Sequence, residues 1–123
     1  MPTSKDEKYI SQLLESWEQT FNKGLLTFWV LASLRASPKS LEEITDFIRT
    51  NSDDMVSFDD QSIYRALRKY YETELVDYEL RDSERGPQRK YYQLTAIGEE
   101  LLLRFFNRNI RIYQSNIFAY LKK

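Results

Sequence analysis

Residues 59–94 constrain the fold most, because their pattern predicts one short helix followed by a two-stranded ribbon. This stretch runs DDQSIYRALRKYYETELVDYEL, crosses a polar turn RDSERGPQR and returns as KYYQL. In its first part, apolar residues recur at spacings of three, four and seven, which is typical of a helix with one buried face. The residues of that predicted face are Ile63, Ala66, Leu67, Tyr70 and Tyr71.

The second part of the stretch alternates apolar and charged residues, as a half-buried strand does. Val76, Tyr78 and Leu80 are the apolar residues of this alternation. Gly86-Pro87 lies in the polar turn, where the chain has to reverse. The pattern therefore predicts a hairpin with its tip near these two residues.

Charged side chains occupy the surfaces that this arrangement would leave exposed. The helix face opposite the apolar stripe carries Ser62, Arg65 and Lys69, with Arg68 beside them. Small polar and cationic groups on one side of a helix are what a DNA major groove can accept. The basic residues of the ribbon tip are Arg85, Arg89 and Lys90, partly offset by Asp82 and Glu84. We expect this tip to lie beside whatever the helix contacts.

The chain lacks the residues on which most catalytic and metal sites depend. It contains neither Cys nor His, which excludes disulfides, the usual zinc ligand sets and nucleophiles activated by His. Neighbouring carboxylates such as Glu42 and Glu43 do not face each other on a helix. We therefore expect no enzyme activity, no metal and no cofactor.

Length and charge allow a single domain but do not by themselves indicate a nucleic-acid partner. The 123 residues have a net charge of −1, whereas DNA-binding domains are often strongly basic. The charges are segregated, with seven acidic residues and one Arg between positions 41 and 60. No apolar run reaches membrane-spanning length, and the N-terminus is polar, so we expect a cytoplasmic protein with no membrane contact.

Helices are predicted on both sides of the central stretch. Residues 8–21 show helical periodicity, and Ser4 with Glu7 could form a capping box. An apolar segment at 25–34 predicts a buried helix, and Ser40 with Glu43 predicts a second capping box before a helix at 41–51. Ser57 or Asp59 is expected to cap the 59–71 helix, and Thr95 to cap a last helix, continuous from Ala96 to about Tyr120.

The two terminal helices carry more large apolar residues than one small domain needs to bury, which marks a partner surface. We predict a dimer interface there. Its residues are Leu13, Leu14, Trp17, Phe21, Leu101, Leu102, Phe105, Phe106, Ile110, Ile112, Tyr113 and Ile117.

The runs SIYRALRKYYETELVDYEL and RGPQRKYYQLTAIGEELL resemble the PadR family of winged-helix transcriptional regulators. The resemblance covers roughly Lys23 to Leu103, because Lys23-Gly24-Leu25-Leu26 is similar to the start of the family's first helix. In that family a Gly-Pro-x-Arg-Lys-x-Tyr-x-Leu-Thr-x-x-Gly signature ends the wing and begins the dimerisation helix. The matching residues are Gly86, Pro87, Arg89, Lys90, Tyr92, Leu94, Thr95 and Gly98. The chain departs from the family at Glu74, where Gly is usual, so a non-Gly residue is expected at a left-handed position after the helix. It also has Ser-Leu-Glu-Glu-Ile at 40–44, where a Gly-Tyr-containing segment is usual.

The resemblance implies a mainly helical α+β fold with a small hairpin wing. This is a winged helix-turn-helix with an extra N-terminal helix and a long C-terminal dimerisation helix. The expected parts of the single domain 1–123 are the N-terminal helix at 1–22, the winged helix-turn-helix at 23–95 and the dimerisation helix at 96–123. A homodimer that binds double-stranded DNA at a near-palindromic operator and represses transcription is implied, as is a small aromatic effector at the dimer interface of some relatives.

In this reading the 59–71 helix lies in the major groove and the 81–90 wing lies on adjacent backbone or minor groove. The expected DNA contacts are Gln61, Ser62, Tyr64, Arg65, Arg68, Lys69, Arg85, Arg89 and Lys90. The alternative is a winged-helix module for protein–protein interaction that has lost DNA binding. The acidic 41–51 helix and the net charge of −1 favour that alternative.

Overall fold

The computed structural model describes residues 2–122, which form a helical body with one β-hairpin. The helices are α1 (Ser4–Gly24), α2 (Leu26–Ser33), α3 (Leu41–Asn51), α4 (Asp60–Glu72), α5 (Ala96–Phe105) and α6 (Asn116–Leu121). Between α4 and α5 the chain forms the antiparallel strands β1 (Val76–Arg81) and β2 (Arg89–Leu94). This is the predicted mainly helical winged-helix fold.

The core lies where α2, α3, α4, the hairpin and α5 meet. Its most buried side chains come from each of these elements, since an amphipathic helix or strand contributes one face. They are Val30, Leu31, Leu34, Ile44, Ile48, Ile63, Leu67, Tyr70, Val76, Tyr92 and Leu102. The predicted buried face of the 59–71 helix is thus confirmed at Ile63, Leu67 and Tyr70, but Tyr71 is 49% exposed.

The hairpin is attached to the body along its β2 edge. Its register pairs Val76 with Leu94 and Arg81 with Arg89. On the other side of β2, Lys39 and Tyr92 exchange two backbone hydrogen bonds of 2.9 and 2.8 Å. This bridge ties the wing to the connection between α2 and α3.

Three of the predicted helix starts are confirmed. Ser40 and Glu43 form the expected capping box, Asp59 caps α4, and Thr95 caps α5. The prediction for α1 is wrong by one residue, because Thr3 and Asp6 form its capping box instead of Ser4 and Glu7.

The predicted continuous last helix is also wrong. α5 ends at Phe105, and a π-helical turn (Phe106–Ile110) and a 3₁₀ turn (Arg111–Gln114) precede α6. Side chains compete for backbone carbonyls here, because Asn109 donates to Phe105 O and Ser115 donates to Ile112 O. Such local bonds offer the backbone an alternative to the regular helix.

Glu74 has the expected left-handed conformation, with φ of 67°. The Leu75 N–H donates to Tyr70 O at 2.8 Å and the Glu74 N–H donates to Tyr71 O at 3.2 Å. These two bonds form a Schellman motif, which satisfies carbonyls at the end of α4. The motif turns the chain directly into β1 without the glycine that usually relieves this conformation.

The start of α5 is packed against the junction between α4 and β1. The Thr95 hydroxyl donates to Glu74 O at 2.6 Å and accepts from the Gly98 N–H at 3.0 Å. The Thr95 N–H donates to Leu75 O at 3.1 Å. A Cβ on Gly98 would lie far inside the contact distance of that same Leu75 oxygen, so α5 can approach this closely only with glycine.

We therefore expect Gly98→Ala to destabilise the protein. The added methyl group would overlap a backbone oxygen, and such overpacking costs about 1–3 kcal/mol in the free energy of unfolding. Urea unfolding followed by circular dichroism, at one protein concentration, measures this change.

Gly24→Ala is the matched control, because nothing lies within 4 Å of a Cβ at that position. Its free energy of unfolding should be unchanged or raised by up to about 1 kcal/mol, since Ala is a better helix former than Gly. Equal stability of Gly98→Ala and the wild type would contradict the close approach of α5.

Candidate nucleic-acid interface

One long side of α4 is turned away from the core and carries most of the predicted contact residues. Gln61, Tyr64, Arg65, Arg68 and Lys69 are exposed along it. Ser62, also predicted as a contact, is half-buried, and its N–H donates to the Asp59 carboxylate at 2.6 Å. This side of α4 therefore presents three cations and an exposed phenol on a rigid element.

The cations of this face differ in their partners. Arg68 lies 3.6 Å from Glu72, one helical turn further on, and both side chains are more than 60% exposed. Within residues 2–122, neither Arg65 nor Lys69 lies within salt-bridge distance of a carboxylate. Because exposed ion pairs contribute little, all three cations are available to an anionic partner.

The N-terminus of α4 carries negative charge. Hydrogen bonds from Ser62 lower the pKa of the Asp59 carboxyl below its ordinary value, with a smaller effect from the positive charge of Arg65. Asp60 follows it and is exposed. A helix N-terminus often binds phosphate, but here a carboxylate already caps it.

The wing separates its cations onto two faces, because side chains alternate along a strand. Arg89 lies opposite Arg81, and Lys90 lies opposite Leu80 on the other face. Lys90 is half-buried, with its ammonium 4.7 Å from the centre of the Tyr78 ring. Arg81 pairs with Glu79 at 2.7 Å and covers the Tyr91 ring.

The tip of the wing presents Arg85 to solvent. Gly86 has φ of 100°, a conformation that glycine adopts without strain. The Ser83 hydroxyl donates across the turn, with Pro87 O the nearest acceptor at 2.8 Å. In the described part of the chain, Arg85 has no carboxylate within salt-bridge distance.

Two grooves lie between α4 and the wing, and predicted contact residues of both elements line them. A cleft of about 270 Å³ is lined by Tyr64 and Arg68 of α4 and by Tyr78, Lys90 and Tyr92 of the hairpin. A larger groove of about 770 Å³ adds the start of α3. Its charged lining residues are Glu42, Asp46, Arg49, Asp60, Arg89 and Lys90.

The structure also adds a residue that sequence reasoning missed. Glu42 of α3 lies 3.4 Å from Arg89 of the wing, although 47 positions separate them in sequence. No local pattern signals such a contact, because it depends on how the hairpin is attached to the body.

The predicted apolar interface residues fall into two groups. The exposed residues lie on α1 and on the C-terminal segment from residue 101 to residue 117, and they include Trp17 at 74% and Ile112 at 58%. The other exposed residues of the set are Leu13, Leu14, Phe21, Leu101, Tyr113 and Ile117. Phe105, Phe106 and Ile110 are half-buried.

Leu102 does not belong to this surface. It was expected at the dimer interface, but it is 4% exposed and packs in the core of its own chain. Phe105 is also partly engaged, with its ring centroid 6.0 Å from that of Phe28. One face of α5 therefore packs on α2, which leaves less of the helix available than its composition suggests.

Residues 2–122 contain no group of three or more carboxylates placed to hold a metal ion. The same residues form no helix that combines the length and the hydropathy of a transmembrane segment.

Comparisons with family models and with solved structures point to the same protein family. The model of the transcriptional regulator PadR-like family matches residues 30–104. A PadR-like transcriptional regulator from Bacillus cereus is 26% identical, with a TM-score of 0.66 over 82% of this chain and 95% of that one. A PadR family transcriptional regulator from Eggerthella lenta is 19% identical, with a TM-score of 0.72 over 94% and 98%.

One solved neighbour contains nucleic acid. It is Bacillus subtilis PadR in complex with operator DNA, which is 22% identical, with a TM-score of 0.64. The likeness covers 69% of this chain and 48% of that protein. No curated protein is significantly similar to the chain.

Proposed function

The chain belongs to the PadR-like family of transcriptional regulators, and on that premise we propose that it binds operator DNA and represses transcription. The family is a class of regulators and not of enzymes. We propose a homodimer on a near-palindromic operator, because two copies related by a two-fold axis place two α4 helices on equivalent half-sites.

The observation that carries this proposal is the exposed cationic face of α4 beside a basic wing. Helix α4 would enter the major groove, with Gln61, Ser62, Arg65 and Lys69 at base edges or nearby phosphates. Tyr64 and Arg68 would contact backbone phosphates. The operator complex of the Bacillus subtilis neighbour supports this use of the fold.

The wing would contact the flanking backbone or the minor groove. Its proposed contacts are Arg85, Arg89 and Lys90. Arg85 is exposed at the tip and has no salt-bridge partner among residues 2–122, whereas Arg89 pairs with Glu42.

A protein-interaction module remains the second candidate, and the acidic side of the large groove favours it. Glu42, Asp46 and Asp60 line this groove and would repel phosphate. Footprinting on genomic DNA, followed by a gel shift with a salt titration, separates the two candidates. A protected, salt-sensitive site supports the regulator, and the absence of any protected site supports the module.

We propose that the dimer forms through the exposed apolar residues of α1 and of the C-terminal segment. An exposed stripe of this size marks a partner surface, and a stable interface buries more than about 1,000 Å² in total. A small aromatic effector at this interface stays a prediction from the family resemblance.

Trp17→Glu and Ile112→Asp should each convert the dimer to a folded monomer. Both side chains are mostly exposed in the single chain, so a charge there disrupts the interface without entering the core. Sedimentation velocity at micromolar concentration measures the change.

Met55→Glu is the control, because Met55 is 70% exposed in the loop between α3 and α4. This variant should remain dimeric. A wild-type protein that sediments as a monomer would contradict the proposed assembly.

Arg65→Ala and Lys69→Ala should weaken binding to the footprinted operator more than binding to random DNA. A side chain with a bidentate base contact contributes about 1–3 kcal/mol of discrimination. Fluorescence anisotropy with both duplexes measures the two affinities.

Arg35→Ala is the matched control, since Arg35 pairs with Glu99 of α5 at 3.5 Å. It should bind both duplexes as the wild type does. Equal losses on operator and random DNA would assign Arg65 or Lys69 to phosphates, and no loss at either position would remove α4 from the interface.

The double variant Arg85→Ala/Arg89→Ala should weaken binding to operator and random DNA alike. Phosphate contacts are independent of sequence, and each one lost flattens the plot of log affinity against log salt by about one unit. Thermal stability should hardly change, because these charges are exposed. An unchanged affinity and slope would show that the wing does not contact DNA.

A further inference from the structure

Two arginines face each other at the outer end of the hairpin. Arg81 and Arg89 are cross-strand partners in its register, and like charges directly opposite each other are unfavourable. Each arginine pairs with a different carboxylate, which offsets its positive charge. Arg81 pairs with Glu79 of its own strand at 2.7 Å, whereas Arg89 pairs with Glu42 of α3 at 3.4 Å.

Glu42 takes no part in the capping box of α3, unlike its neighbour Glu43. Glu43 accepts a hydrogen bond from the Ser40 N–H and completes the capping box of α3. Glu42 is in the first turn of the same helix, where the helix dipole favours a negative charge. Among residues 2–122, the Glu42 side chain forms a hydrogen bond and a salt bridge only with Arg89.

The attachment of the wing brings this pair together. The Lys39–Tyr92 bridge holds the edge of β2 beside the chain that leads into α3. Arg89 is three positions from Tyr92 on β2, and Glu42 is three positions from Lys39, so the antiparallel bridge sets both side chains on the same rim. This rim belongs to the large groove that Tyr64 of α4 also lines.

The pair is easily broken. The Arg89 and Glu42 side chains are 54% and 73% exposed, and exposed ion pairs contribute little because water and salt screen them. A DNA phosphate is a stronger partner for the guanidinium than an exposed carboxylate, since the duplex presents a dense row of negative charges.

We propose that Glu42 is an affinity-limiting residue, which holds Arg89 in the free protein and releases it to a DNA phosphate in the complex. This inference rests on the proposed function. Binding then requires the pair to break and leaves an unpaired carboxylate facing the duplex. Glu42 thereby lowers the affinity of the wing for any DNA sequence.

A double-mutant cycle tests the exchange with the full-length dimer. The variants are Glu42→Gln, Arg89→Gln and the combination of both. The probe is a random-sequence duplex of about 30 base pairs, which is long enough for a dimer whose two α4 helices lie one helical turn apart. Fluorescence anisotropy at low salt gives the four dissociation constants.

Glu42→Gln should tighten binding about two- to fivefold when Arg89 is present, the factor that corresponds to an exposed ion pair. In the Arg89→Gln background, Glu42→Gln should tighten binding only as much as a charge control does. The control is Asp54→Asn, which changes charge equally at a left-handed position that Asn tolerates.

Each other outcome overturns the inference. An equal gain in both backgrounds means that Glu42 acts by repulsion alone, and no gain means that the pair does not limit binding. If the wild type binds neither this duplex nor genomic DNA, the proposed function fails together with the inference. If the wild type binds but the cycle is additive, the inference alone fails.

Discussion

The close contact between the start of α5 and the end of α4 connects the two halves of the molecule. Leu75 O accepts a hydrogen bond from the Thr95 N–H, and Gly98 lets the helix approach the same oxygen. Since α4 ends and β1 begins at this point, one junction orients α4, the wing and the C-terminal segment together. A change in this packing would shift the cationic face relative to the apolar surface proposed for dimerisation.

Charge placement matters more in this protein than total charge. The net charge is −1, yet Arg65 and Lys69 have no salt-bridge partner among residues 2–122, and Arg85 stands at the wing tip. The acidic residues of α3 and of the start of α4 line the large groove together with Arg49, Arg89 and Lys90. A regulator built in this way would hold DNA through a few well-placed contacts and would bind random sequence weakly, because phosphate attraction supplies most non-specific affinity.

Local patterns predicted what depends on neighbouring residues. The capping box of Ser40 and Glu43 and the cap at Thr95 are confirmed, because caps depend on a few consecutive residues. The left-handed Glu74, expected from the family resemblance, is also confirmed. The prediction of a continuous C-terminal helix was wrong, since a π-helical turn and a 3₁₀ turn interrupt it between residues 106 and 114. Leu102 was misplaced because periodicity shows that a face is apolar but not which partner covers it.

The sequence by itself determined the order of helices and strands from α1 to α5, the family and the residues available for the exposed face of α4. Spacing, caps and the signature that ends the wing carry this information within short stretches of the chain. Only the tertiary structure decided which cations are engaged, because Glu42 meets Arg89 across 47 positions and Lys90 turns towards Tyr78. Such contacts arise when the Lys39–Tyr92 bridge attaches the wing to the body, and no periodic pattern encodes a distance between elements that are far apart in sequence.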